Sequence, residues 1–405
     1  MQEGKSPRKF LIGQDEKGLA ITFAFRDVAG SYFSLSLVQL RLYSAHSPFM
    51  IMVTLKPIRD LKAASTLELL QALPRLKNRL NIKAHFETVR TDLEHVDKCI
   101  RQQVETFDPG ILGYIEYATE TNGKRIRPAL VILSAQATGK IQSAHYDLAV
   151  IVEMIHLASL IHDDILDNAE IRRTRPTLFA KWGADLSVLL GDCLFAHALK
   201  LCASLPKRES NRLIAEASSE VCTGEILQMQ RRFDLKLSIP EYLRMIGMKT
   251  GALFRVACET SVMLNDMPEP CVQALRNYGD SLGVAYQIYD DCLDLYGTEE
   301  SSGKTLGTDL KKGKFTLPVI HLLQHLKEEE LAAVSDVIVH GDETARLTLL
   351  KKVIDQGGIR FALRKANEYL DRAIRGLEVL PDTEYRKTLR AIPSALRDHL
   401  ETLKA

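Results

Sequence analysis

The sequence predicts an all-α chain, and three observations carry that prediction. From Thr66 onward apolar residues recur at helical spacing, with little two-residue alternation. Gly 23 and Pro 14 in 405 residues are too few for an all-β or disordered chain, and they gather in short breaks. The central stretches, such as Leu148 to Ile161, are apolar around most of a helix, as buried helices are. That run contains Glu153 and His156 and is too short to cross a bilayer, so no transmembrane segment is expected.

Residues 1–60 read differently from the rest. Ile21-Thr22-Phe23-Ala24-Phe25 and Ser34-Leu35-Ser36-Leu37-Val38 alternate as short strands do, with no strand partners downstream. Lys5, Arg8 and Lys9 stand among Glu3, Asp15 and Glu16, and no apolar stretch follows of the kind a signal peptide needs. The segment is expected to be a poorly ordered, dispensable N-terminal extension, with Met50 and Met52 as alternative starts. Residues 61–405 are expected to form a single domain.

Within that domain the pattern predicts helices over 66–79 and 84–105, the latter ended by Asp108-Pro109-Gly110. The next, 129–138, follows Arg127-Pro128, and 146–167 is the apolar central helix. Arg175-Pro176 precedes 179–204, Pro206 precedes 209–230, and Pro240 precedes 241–264. Pro268 and Pro270 open 271–296. A Gly- and Lys-rich loop, Gly303 to Gly313, separates it from 315–326, 343–355, 359–377 and 384–403.

Charge and cysteine content exclude several functions. Lys+Arg 53 against Asp+Glu 52 leaves +1, so there is no global steering toward nucleic acid or an anionic membrane. Seven cysteines without a CxxC pair argue against a disulfide framework or a structural zinc site, which points to a reducing cytoplasm.

Two acidic motifs carry the chemistry. Asp163-Asp164-Ile165-Leu166-Asp167 closes one apolar helix, and Asp290-Asp291-Cys292-Leu293-Asp294 lies near the end of another. At i,i+4 spacing Asp163 and Asp167 share a face, as do Asp290 and Asp294. Like charges so placed repel, beside the negative end of the helix dipole, so a cation must compensate. Carboxylate oxygens suit Mg²⁺, which is shared with substrate phosphates. One such motif could be a solvated acidic turn; a matched pair argues for cation binding.

Basic residues are grouped as well: Gly123-Lys124-Arg125-Ile126-Arg127-Pro128, Arg172-Arg173-Thr174-Arg175-Pro176, Lys249-Thr250, and the loop from Gly303-Lys304 to Gly313-Lys314. Beside carboxylate motifs, such clusters suggest two diphosphates, one bridged through metal and one held by Lys and Arg directly. His156 precedes Asp163 by seven residues and shares its helical stripe, which favours ligand contact over a core role.

These motifs resemble the trans-isoprenyl diphosphate synthases, and within them the long-chain polyprenyl synthases. The resemblance rests on GKRIRP at 123–128, IHLASLIHDDILD at 155–167, RR at 172–173, KT at 249–250, YQIYDDCLD at 286–294 and GKTLGTDLKKGKFTLP at 303–318. It implies an all-α, isoprenoid-synthase-type bundle around a deep central cavity, usually a homodimer. It further implies that Lys124, Arg127, His156 and Arg173 hold the diphosphate of isopentenyl diphosphate. Asp163 and Asp167 would bind Mg²⁺ on the allylic diphosphate, and Asp290 a further ion with Asp294 in support, about three ions in all. Arg172, Lys249, Lys304 and Lys314 would contact the allylic diphosphate, while Thr250 and Gln287 line the place where the allylic cation develops. Two departures from the family pattern stand out: Thr121-Asn122 where a glycine often precedes GKR, and Thr174 where a glycine usually follows the arginine pair.

The implied activity is head-to-tail condensation of isopentenyl diphosphate onto an allylic diphosphate. Ala158 and Ser159, one turn before Asp163, are small where short-chain synthases carry bulky aromatics, so an all-trans product of roughly C30 to C50 is expected, burying more apolar surface with each unit. A quinone side chain, delivered to membrane enzymes, is the expected use. The alternatives are a shorter-chain farnesyl or geranylgeranyl diphosphate synthase, a class I terpene cyclase, which lacks the second DDxxD, and a regulatory subunit, which loses the acidic motifs.

Overall fold

Alternation near the N-terminus does make strands. β1 (Ala20–Arg26) pairs antiparallel with β2 (Tyr32–Val38), Ala20 opposite Val38 and Arg26 opposite Tyr32, so each is the other's partner. The chain divides into two units, Met1–Ser65 and Thr66–Ala405. The computed structural model describes residues 20–26, 32–38, 86–120, 123–172, 175–296 and 308–401. The predicted helix at 66–79, the departures at Thr121-Asn122 and Thr174, and the site candidates Arg173 and Lys304 lie outside the described residues.

The second unit is helical, as predicted. α1 (Arg90–Val104) and α2 (Leu112–Thr119) lead into α3 (Ile126–Thr138) and α4 (Ser143–Leu166). α3 starts at Ile126 rather than 129, because Pro128 in a first turn forfeits no intrahelical hydrogen bond. α2 was not predicted: it is eight residues long and contains Gly113. After α4 a small hairpin, β3 (Ile171–Arg172) against β4 (Arg175–Pro176), turns the chain into α5 (Leu178–Cys202). Thr177 caps α5 by accepting from the Ala180 amide at 3.0 Å.

α6 (Arg208–Gln230) is followed by α7 (Ile239–Ile246), opened by a Ser238–Glu241 capping box. The single helix predicted over 241–264 is interrupted by a π-helical turn, Gly247–Gly251, before α8 (Ala252–Leu264). α9 (Glu269–Tyr296) matches expectation, and α10 (Thr308–Lys311) is one turn. α11 (Leu317–Leu323), α12 (Glu328–His340), α13 (Glu343–Asp355), α14 (Gly358–Arg375) and α15 (Glu384–Glu401) complete the unit. α12 was also missed, although Glu328, Glu329 and Glu330 in its first turn suit the positive end of the dipole.

The core lies where α3, α4, α8 and α9 meet. Leu130 to Leu133, Leu148, Ile151, Met154, Phe254 and Ala257 are fully buried. Each large one contributes on the order of 2 kcal/mol by leaving water. All seven cysteines are free thiols, consistent with the absence of a disulfide framework.

One buried, paired polar group in this core makes its stability sensitive to pH. His145, completely buried, accepts from the Gln142 amide at Nδ1 (3.0 Å) and faces the Ser261 carbonyl with Nε2 (3.0 Å). An acceptor at Nδ1 requires neutral imidazole. Burial holds His145 below its ordinary value, outweighing the two backbone contacts. A lowered folded value means stability is present above the unfolded value of about 6.5 and is lost as pH falls through the folded one. The melting temperature should therefore drop between pH 7.5 and 5.5. In His145→Asn, scanned over the same range, the slope should be shallower.

Candidate active site

The first acidic motif closes α4. Asp163 lies in the last turn and Asp167 is the residue that caps it. The repulsion expected between them is offset by protein cations. Lys314 Nζ donates to both Asp167 oxygens at 2.7 and 2.9 Å, with Arg232 at 3.3 Å and Lys312 at 3.6 Å. Burial pushes the Asp167 carboxyl up, but Lys314 first, then Lys312 and Lys249, hold it below the usual carboxylate value. Asp164 faces elsewhere and receives Arg172 at 2.7 Å, so Arg172 folds back from the β3–β4 hairpin onto this motif.

Lys249 stands 3.7 Å from Asp163 and is carried by the π turn, a feature that recurs at functional sites. On α6 it meets Glu225 in a close ion pair and Gln228 Oε1 at 3.1 Å. Burial alone would lower the Lys249 ammonium, but Asp163 and Glu225 override it and hold it well above its ordinary value. The approach of α6 to the turn needs a glycine: a Cβ on Gly224 would lie 2.6 Å from the Lys249 backbone nitrogen.

The second motif reaches the same lysines through one short segment. Asp290 is exposed, whereas Asp294 is buried and accepts from the Asp309 amide at 3.2 Å. The Asp309 carbonyl accepts from the Lys314 amide at 2.8 Å, and Lys314 Nζ is bound to Asp167. Residues 309–314 thus tie the ends of α4 and α9 together. Gly313, at φ +69°, makes the turn possible, and its carbonyl accepts from the Phe233 amide at 2.9 Å.

Asp291, between the two expected metal ligands, is buried in a polar chain. Tyr242 Oη donates to its Oδ2 at 2.5 Å and Gln287 Nε2 to its Oδ1 at 2.7 Å. Gln287 Oε1 in turn accepts from Thr250 Oγ1 at 2.6 Å, which brings Thr250 and Gln287 together. Burial, with Asp309 adding, pushes the Asp291 carboxyl up to about 8 against the pull of its hydrogen bonds.

The basic turn before α3 splits its charges. Arg125, at φ 50°, is committed to Glu153 (2.7 Å) and Asp97 (3.0 Å) and holds the fold together. Lys124 is exposed and Arg127 half-buried, its guanidinium 4.9 Å above the Phe254 ring. From Phe254 a ladder of rings runs through Tyr286 (5.7 Å) and Tyr289 (6.4 Å) to His399 (6.1 Å) on α15. Burial lowers His399 and the Lys124 charge lowers it further, so this ladder joins the basic turn to α9. His156 is half-buried on α4.

A cavity of about 460 Å³ opens beside the π turn, lined by Arg244, Arg255, Asp280 and Arg372 among others, and contains none of the predicted residues. Its charges are largely paired, Arg255 with Glu220 at 2.6 Å and with Asp280 at 3.7 Å. Sequence reasoning missed Glu225, Tyr242, Asp309 and His399, which carry no local signal. It passed over Asp291, which the motif itself displays.

The donor set fits Mg²⁺. Every candidate ligand is a carboxylate oxygen, and among the described residues no three acidic, His or Cys side chains converge to cage an ion by themselves. Mg²⁺ asks for no such cage, because it takes one or two carboxylates and completes its shell with water and phosphate.

An all-α bundle that binds two DDxxD helix ends to one lysine-bearing turn defines the isoprenoid-synthase class of fold. The chain belongs to the polyprenyl synthetase family, whose model matches residues 109–356. It is 35% identical over 318 residues to heptaprenyl diphosphate synthase component 2 of Geobacillus stearothermophilus, covering 77% of this chain and 97% of that one. Its structure is similar to that of a decaprenyl diphosphate synthase from Rhodobacter capsulatus, with TM-score 0.74 and 33% identity over 80% of this chain and 100% of the other. It is similar also to a polyprenyl synthase from Caulobacter crescentus complexed with calcium and isoprenyl diphosphate, with TM-score 0.74, 31% identity, and 80% and 98% coverage.

Proposed function

We propose that the chain condenses isopentenyl diphosphate head-to-tail onto an allylic diphosphate, with Mg²⁺, to give an all-trans polyprenyl diphosphate of roughly C30 to C50. The observation that carries this reading is the joining of both Asp-rich helix ends through Asp309 and Lys314. Asp163, Asp167 and Asp290, with Asp294 in support, would hold the metal. When bound, Mg²⁺ supplies a Lewis-acid pull on the allylic diphosphate.

The chain's own residues do the rest. Lys249, Lys314, Arg172 and Lys304 take up the charge that grows on the leaving diphosphate as its C–O bond breaks. Lys124, Arg127, His156 and Arg173 hold isopentenyl diphosphate so that its alkene attacks the allylic carbon. Thr250 and Gln287 present oxygen to the developing cation. The proton lost after attack passes to the departed diphosphate, and the apolar walls of the bundle keep water out.

A homodimer suits the exposed apolar side chains of α5 and α6, among them Leu189 and Ile226, which a second copy would cover. The product suits a quinone side chain passed to membrane enzymes from a cytoplasmic synthase; among the described residues no helix is long and apolar enough to cross a membrane. Incubation with radiolabelled isopentenyl diphosphate, a short allylic primer and Mg²⁺, followed by reverse-phase chromatography, tests the reading. Label in a ladder ending at roughly C30 to C50 is expected. A cyclic hydrocarbon, or no incorporation, overturns it.

The first 60 residues are taken as dispensable. A protein beginning at Met52 should keep its turnover within about twofold, since every residue assigned to the site lies at Lys124 or beyond. Steady-state assay of the truncated enzyme checks this.

A further inference from the structure

We infer that Asp291 is a positioning residue: through the buried chain Tyr242–Asp291–Gln287–Thr250 it decides which end of the Gln287 carboxamide faces Thr250. This rests on the reading that Thr250 and Gln287 line the place where the allylic cation develops.

Asp290 and Asp291 are adjacent on α9, about 100° apart around its axis, so one reaches solvent and the other the interior. Asp291 is 6% exposed, and both its oxygens are occupied, Oδ1 by Gln287 and Oδ2 by Tyr242. It is therefore not placed to join Asp290 on a metal.

What it does instead follows from donor and acceptor counts. Gln287 Nε2 donates to Asp291 Oδ1 while Tyr242 Oη donates to Oδ2, so the amide end turned toward Asp291 is NH₂. The carbonyl end, Oε1, then faces Thr250 and can only accept, so the Thr250 hydroxyl must donate. A hydroxyl that has spent its one proton offers only lone pairs elsewhere. Thr250 is 6% exposed, within the same π turn as Lys249, so its oxygen is held as an acceptor. With the amide reversed, N–H would point at Thr250, and the hydroxyl proton would be freed toward the forming cation, which repels it. Tyr242, itself fully buried, holds the far side of Asp291.

Reversing the polarity in two steps tests this. Asp291→Asn keeps the shape but can offer N–H to Gln287, which would then turn its own N–H toward Thr250. Its kcat should fall about tenfold or more, while both KM values and the Mg²⁺ concentration for half-maximal rate stay within about twofold. Gln287→Glu alone sets two carboxylates against each other and should also be slow. The double variant Asp291→Asn with Gln287→Glu restores an acceptor toward Thr250 and should recover kcat to within about threefold of the parent. Failure of the double variant to improve on Asp291→Asn overturns the inference. So does a rate loss in Asp291→Asn that extra Mg²⁺ repairs, which would make Asp291 a metal ligand. Thr250→Val is the separate control: if its kcat is unchanged, the reading of Thr250 at the cation falls, and the inference with it.

Discussion

Asp163→Ala is expected to slow turnover by on the order of a hundredfold or more, the scale of losing electrostatic stabilisation at a leaving group. Chelation of divalent metal should abolish turnover in the parent, and added Mg²⁺ should restore it. Asp163 is the better choice over Asp167. Asp167 neutralises the buried Lys314, and removing it would leave that ammonium without its carboxylate, mixing folding with catalysis. Lys249, by contrast, keeps Glu225 when Asp163 is gone. The melting temperature of Asp163→Ala should therefore change little. Asp290→Ala, at an exposed position, should behave in the same way. Near-parental turnover in the Asp163 variant would sink the metal assignment.

The second large effect concerns product length. Ser159→Phe should shorten the product from roughly C30–C50 to about C15–C20, if the tail runs along α4 as proposed and the ring fills its path. Ser159 is half-buried, and its hydroxyl donates within its own helix, to the His156 carbonyl (2.8 Å). Ala158 is 1% exposed in the core, where a larger side chain would cost about 1–3 kcal/mol in overpacking. The first condensation should proceed at a rate within a few-fold of the parent, because the diphosphate and metal residues are untouched. Chromatography of the products reads the outcome directly. An unchanged ladder would mean that the tail does not run past Ser159.

The helical order was legible in the sequence because its signals are local. Apolar periodicity gave α4, α6 and α9 to within a few residues of their ends, and Pro and Gly marked their borders. It failed at α2, which is short, and at the π turn. There Lys249 and Thr250 depart from the α-helical register while the residues around them keep their helical pattern.

The acidic motifs and the basic clusters were named from residue type and spacing, and the resemblance they carry implied the roles of Thr250 and Gln287. What the acidic side chains are bound to was not. Lys314 lies 147 residues from Asp167, and Thr250 lies 37 from Gln287. Likewise, nothing in GKRIRP separates Arg125, which is bound to Glu153 and Asp97, from Lys124 and Arg127. Nothing in DDCLD shows that its second aspartate faces Tyr242 inside the bundle. The chain alone determined which charges exist and which share a helical face, since i,i+4 geometry follows from one helix. Only the packed structure decided which charges neutralise one another, because those partners sit on different helices and meet through burial.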